Sequence, residues 1–393
     1  NSIVSGGDNN TAVGDEAGTA ITTGDSNAAF GSNALDATTT GSFNTAVGRH
    51  SLSANTTAGE NTGIGGSSLR NNTTGANNTA VGTGSLQANT TAASNTAVGH
   101  RALTANTTGA DNVAVGYGSL KNNTTANDNT ALGKTALYWN TTGTYNTALG
   151  RGVMEQNTTG ASNTAVGRIA LIANTTGNSH TALGADALSS NTTGTQNTAV
   201  GQGALLASTT GNYNVAIGQA ASGSNTTGAS NVSVGQAAMY YNTTGINNTA
   251  SGRNALFANT TASYSSAFGF AALLGNTTGA ANTAVGDSAG YTTTTGYKNN
   301  FLGASSRGQS ATAFAQNVIG YNVQSVSSNY TTIGINGSIS WLNVGGTSWS
   351  GSSDSRLKDN ITSSTAGLSF INDLRPVTYE WKAKGDVPVE LDN

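Results

Sequence analysis

Apolar and polar side chains alternate along most of this chain in a single rhythm, N-T-A-V-G-x-x-A-L-x-x-N-T-T-G-x-x, repeated every 17 residues. The fifth-position glycine recurs from Gly14, Gly31 and Gly48 onward to Gly320, nineteen glycines without an insertion. A fold joined by loops of varied length does not keep such register, whereas a stack of coils must, because each coil pairs with the next through a continuous ladder. The rhythm predicts an all-β parallel solenoid, a β-roll with one coil per repeat, over residues 1–320.

Two apolar anchors are visible in each repeat. The third position is nearly always Ala (Ala46, Ala97, Ala148) and the fourth Val, Ile, Leu or Phe (Val47, Ile64, Leu132, Phe268). Strand side chains alternate in direction, so both faces of this strand are apolar. The larger fourth residue is expected to fill the coil. The small third residue is expected to face a close neighbour, most simply a symmetry-related copy of the chain. The ninth position, Leu in Leu35, Leu52 and Leu137 and Met in Met154 and Met239, supplies the second anchor. Gly at position five and the Asn-Thr-Thr-Gly segment read as turns, giving two short strands and two turns per coil. Asn and Thr stacked at the strand spacing are expected to hydrogen-bond along the axis, and nineteen coils would span about 90 Å.

Composition changes this picture little. Charged residues are 8%, aromatics 6%, Gly 53 and Pro 2, and the formal net charge of -3 is far from that of a disordered chain. There is no cysteine, hence no disulfide framework and no thiolate metal site. No apolar run approaches the roughly 20 residues of a membrane helix, so membrane insertion is not expected. The opening Asn1-Ser2-Ile3-Val4 carries no initiator Met, and the true N-terminus is expected to lie upstream.

The rhythm stops after Gly320, with Tyr330-Thr331-Thr332-Ile333-Gly334 as an imperfect echo, and residues 321–353 read as a connector or end of the shaft. Residues 354–393 then hold 12 of the 33 charged residues and both prolines, Pro376 and Pro388. Leu368, Ile371 and Leu374 fall at helical spacing before Pro376, and Val377, Tyr379 and Trp381 alternate like a strand. A small α+β domain is expected to begin here.

Two resemblances bear on function. The N-T-A-V-G-x-x-A-L unit resembles the head repeats of trimeric autotransporter adhesins, which implies a trimeric β-roll, although those repeats are usually shorter. The run Ser352-Ser353-Asp354-Ser355-Arg356-Leu357-Lys358-Asp359-Asn360-Ile361, followed by Leu374-Arg375-Pro376-Val377-Thr378-Tyr379-Glu380-Trp381, resembles the start of the endosialidase-type intramolecular chaperone of phage tailspikes and tail fibres. That resemblance implies self-cleavage between Ser353 and Asp354, with Ser353 as nucleophile and Lys358 as its base. A serine hydroxyl needs such a base, and a lysine serves if its surroundings lower its pKa.

The expected function is thus a phage tail fibre, a homotrimer at the virion tail or an extracellular surface, joined to an upstream virion attachment domain and reaching a host-surface glycan. The alternatives are a bacterial adhesin or extracellular filament, and an ice-binding solenoid with Thr ladders. No enzymatic activity is expected beyond autoproteolysis, and no cofactor or metal: His50, His100 and His180 are dispersed, and Asp111 and Asp128, one repeat apart, lack an opposing carboxylate. The net charge gives no reason to expect nucleic acid. Candidate receptor contacts are the aromatic pairs Tyr138 with Trp139 and Tyr240 with Tyr241, and the sixth-position cations Lys134, Arg151 and Arg168. The Asn-Thr-Thr triplets match glycosylation acceptors but read as turn residues.

Overall fold

Each repeat contributes one three-residue strand at positions two to four, from β1 (Thr11–Val13) through β3 (Thr45–Val47) and β9 (Thr147–Leu149) to β19 (Asn317–Ile319). The computed structural model describes residues 7–343 and 345–351. Consecutive strands pair parallel and in register, as Thr45↔Thr62, Ala46↔Gly63 and Val47↔Ile64 show. The described residues therefore form a parallel β-solenoid with one strand per coil, not two. The rest of the coil is a succession of turns, yet it too bonds to its neighbours. Leu52 N–H donates to Ser68 O at 3.0 Å, Thr56 N–H to Thr73 O at 3.1 Å and Glu60 N–H to Ser42 O at 3.0 Å.

The two strand faces are the reverse of the sequence expectation. Third-position alanines such as Ala46, Ala97 and Ala148 are fully buried and line the coil interior beside Leu52, Leu103 and Met154. Fourth-position Val47, Leu132 and Phe268 point outward and are 38%, 43% and 43% exposed. The physical reason is space. Ala, the ninth-position Leu, the eighth-position Ala or Ser and two buried Asn share one narrow lumen, which holds no second large side chain. The Phe301 exception shows this directly: a Phe at the third position is admitted where the preceding coil has Gly290 in place of Leu, and a Cβ on Gly290 would come within 2.6 Å of the Phe301 ring.

Turn conformation explains two other conserved features of the repeat. Fifth-position glycines stand at φ near +130°, and a Cβ on Gly184 would lie 2.7 Å from the backbone of Gly201 in the next coil. Only glycine fits that stack. Ninth-position leucines occupy the left-handed region, Leu52 at φ 53 and Leu137 at φ 52. That conformation costs an L-residue roughly 1–2 kcal/mol, which the roughly 1.5–3 kcal/mol from burying the side chain offsets. Alternation of such residues at positions seven, nine and seventeen bends the chain around the coil without helices.

Two rows of buried asparagine ladders run along most of the rod, as expected, with interruptions such as Ser208 at position twelve and His180 at position one. At position twelve, Asn106 Nδ2 donates to Asn89 Oδ1 at 3.0 Å and to Gly109 O at 2.8 Å, so each Asn both caps its own turn and reaches the preceding coil. At position one, Asn78 Oδ1 accepts from Asn95 N–H at 3.0 Å, while Asn95 Nδ2 reaches Gly109 O at 2.9 Å. Thirteenth-position threonines add a third row, Thr141 Oγ1 donating to Thr158 O at 3.0 Å. Within a low-dielectric interior such amide networks are favourable only when every group is partnered.

The apolar core is interrupted once. Ser222 replaces the ninth-position Leu and Ser233 the next third-position Ala, and their hydroxyls bond to each other at 2.9 Å. The core residues on either side form separate clusters. At the far end, the echo after Gly320 is a true rung: β20 (Tyr330–Ile335) pairs parallel with β19, Asn317 opposite Thr331. It then turns through Asn336-Gly337, at φ 48 and 84, into antiparallel β21 (Ser338–Asn343). This two-residue Asn-Gly loop is the primed hairpin turn. Ile339 packs against the last core residues, so the hairpin covers the end of the core, and β22 (Ser350–Gly351) pairs with β21. The expected helix over Leu368 to Leu374 and strand over Val377 to Trp381 lie outside the described residues.

Candidate functional site

The register that builds the rod also aligns its side chains into columns, so residues 17 apart become neighbours. Lys134, Arg151 and Arg168 follow one another in consecutive coils because the strands preceding them pair Thr130↔Thr147 and Thr147↔Thr164. All three are exposed. Lys134 lies over the Tyr117 ring at 5.8 Å, and Tyr117 stacks on His100 at 5.5 Å, so the sixth-position column continues as aromatic rings. Arg168 pairs with Asp186 at 3.2 Å. This pair is largely solvated and contributes little to stability.

The two aromatic pairs sit on the same edge of the rod, at positions ten and eleven. Tyr138 and Trp139 meet edge to face at 5.0 Å, and Tyr138 accepts a bond from Lys121 Nζ at 2.7 Å. Tyr240 and Tyr241 make the same contact at 4.8 Å and are joined by Phe257, stacked on Tyr240 at 5.8 Å. Nothing in the sequence pattern singled out Phe257, whose role is set by the 17-residue stacking. Tyr138 lies over Gly118, and Tyr240 over Gly223, in the preceding coils. The pairs are six repeats apart, so they form two separate patches, each with an outward ring (Trp139 52% exposed, Tyr241 48%).

His180, in sequence only one of three dispersed histidines, has a structural place of its own. It takes the first-position Asn place and is buried. Its Nε2 lies 2.7 Å from Gly194 O, the carbonyl an Asn amide would reach, and its Nδ1 accepts from Asn197 N–H at 3.3 Å. That pattern is the neutral tautomer protonated at Nε2. Burial holds the imidazole below its usual pKa, while the bond to Gly194 O opposes the shift. The signal was present, since His180 stands where Asn163 and Asn197 stand one repeat away.

Among the described residues no group of three or more His, Asp or Glu could hold a metal ion. Asp111 and Asp128 stack in consecutive coils at a left-handed turn position, φ 58 and 57. The Asn of the Asn-Thr-Thr triplets, including Asn140 and Asn242, are fully buried in the ladder. Among the described residues no helix is long and apolar enough to cross a membrane.

The remaining candidates, Ser353, Asp354 and Lys358, lie outside the described residues. Residues 353–391 match the family model described as chaperone of endosialidase, and the matched segment begins at Ser353. No curated protein and no solved structure matches the chain.

Proposed function

We propose that this chain is the shaft of a trimeric fibre of the phage tail type, followed by an intramolecular chaperone that removes itself after assembly. The observation that carries this reading is the junction of a long unbranched solenoid with a segment matching the chaperone of endosialidase at residues 353–391. The row of outward apolar side chains at the fourth position, broken at Ser251 alone among the nineteen repeats, supports it, because an exposed apolar stripe of this length marks an interaction surface. A stack of near-identical coils can slip by one rung when chains associate, and a C-terminal clamp addresses that hazard. Ser353 then acts as nucleophile with Lys358 as its base, cleaving before Asp354. Tyr138, Trp139, Tyr240 and Tyr241 offer ring faces for a host-surface sugar, and Lys134, Arg151 and Arg168 offer charge to an anionic one. On this reading the protein belongs at the virion tail or an extracellular surface.

Native and denaturing mass spectrometry of the expressed chain tests it. A chain ending at Ser353 within a threefold native mass is the expected result; an intact single chain overturns both the chaperone and the trimer. A second reading has one observation in its favour. Second-position threonines such as Thr45, Thr79 and Thr96 form an outward row beside the fourth-position valines on a regular parallel sheet, the kind of surface an ice-binding solenoid presents. Thermal hysteresis by a solution of the single chain would favour that reading over the fibre.

A further inference from the structure

The face that carries the apolar row is bordered by two columns of side chains. On one side, at position seventeen, stand Phe43, Asp111, Asp128, Tyr145, Tyr213 and Tyr264; on the other, at position six, the column includes Arg49, Tyr117, Lys134, Arg151, Arg168 and Phe270. The members of one coil stand at opposite ends of its short strand, as Asp128 and Lys134 flank β8 (Thr130–Leu132). Asp128 and Lys134 accordingly make no ion pair with one another, and the ion pair the described residues do form is Arg168 with Asp186.

The columns are complementary at equal height. The coil carrying Asp128 carries Lys134, and the next carries Tyr145 with Arg151. Those of Phe43 and Tyr264 carry Arg49 and Phe270, and in no coil do the two columns hold like charges. The seventeenth-position rings are also costly where they stand. Phe43, Tyr145, Tyr213 and Tyr264 take φ between 58 and 62, the left-handed region that disfavours bulky residues, and remain 58–64% exposed. Burial within the chain therefore does not account for them.

A threefold axis parallel to the rod brings one border of this face against the opposite border of the next copy, at the same height, and closes the ring after three copies. We infer that the apolar face is the seam of a parallel homotrimer, in which Asp128 of one copy meets Lys134 of its neighbour and Tyr145 meets Arg151. This rests on the trimeric reading above and adds to it the face and the residues.

The chain has no cysteine, so a disulfide reports the seam cleanly. The double variant Asp128→Cys/Lys134→Cys, oxidised and run under denaturing conditions, is expected to give three covalently linked chains, while each single variant stays unlinked. A threefold native mass with no covalent product, or linked products that continue past three chains, overturns the seam while leaving the trimer standing. A single-chain native mass overturns both. As a second measurement, Asp128→Lys is expected to reduce trimer recovery and Asp128→Lys/Lys134→Asp to restore it; equal recovery in all three proteins overturns the contact of Asp128 with Lys134 across the seam.

Discussion

Ser208 is the one Ser in the twelfth-position ladder between Asn191 and Asn225, and it breaks the ladder. Asn191 Nδ2 donates to Asn174 Oδ1 at 2.9 Å, but Asn191 Oδ1 and Ser208 Oγ are buried with no partner. Beyond the break the ladder resumes, Asn242 Nδ2 to Asn225 Oδ1 at 2.7 Å. Ser208→Asn, in the geometry of neighbouring coils, gives Asn191 Oδ1 a donor, reaches Gly211 O and offers Asn225 an acceptor. A buried unpartnered polar atom costs about 1–3 kcal/mol, and a typical net bond contributes about 1 kcal/mol. Fixing the longer side chain returns part of that gain, so the expected stabilisation is about 1–3 kcal/mol. In a solenoid it is local rather than global. Amide hydrogen exchange over residues 191–225 should therefore slow by about 5- to 150-fold, at tenfold per 1.4 kcal/mol, with distant coils unchanged. Unchanged or faster exchange in a protein that is otherwise folded would refute the reasoning and imply that bound water already serves these two atoms.

Three further outcomes are expected. His180 has a folded pKa below its unfolded value near 6.5, so its neutral form contributes stability that is full above about pH 6.5 and lost as pH falls through that value. Exchange corrected for intrinsic rate should accelerate in coils 163–197 between pH 7.5 and 5, and His180→Asn should remove the effect. Gly184→Ala sets a Cβ 2.7 Å from the Gly201 backbone at φ +135, where strain alone costs about 1–3 kcal/mol; denaturant unfolding should show a loss at least that large. Leu137→Ala empties a fully buried site and should cost about 2–5 kcal/mol, read as faster exchange in coils 120–154.

Much of the architecture was legible because the chain repeats itself. The nineteen glycines required a stacked coil, and stacking then required in-register parallel pairing and aligned Asn and Thr rows, all of which the structure shows. Alternation alone could not tell which of Ala46 and Val47 faces inward, since both are apolar; the volume of Leu52 and the two ladder amides decides it. Nor could composition reveal that the ninth-position Leu adopts left-handed backbone, because its burial outweighs its propensity. The Tyr330 to Gly334 echo looked imperfect for lack of a following repeat, although Asn336-Gly337 carried the hairpin signal. The site was legible as separate residues: Tyr138, Trp139 and Lys134 were visible, but Phe257 joins Tyr240 only through coil stacking. His180 was hidden by counting histidines rather than comparing it with the Asn one repeat away.

The order of residues by itself determined the period, the register and the demand for glycine at the fifth position of each repeat, since these follow from local backbone geometry repeated without error. Tertiary structure alone decided what lies inside and what outside. That choice depends on the volume enclosed by a closed coil, a property of all its side chains together and of none of them singly, and it is what leaves the valine row and its two charged borders facing outward.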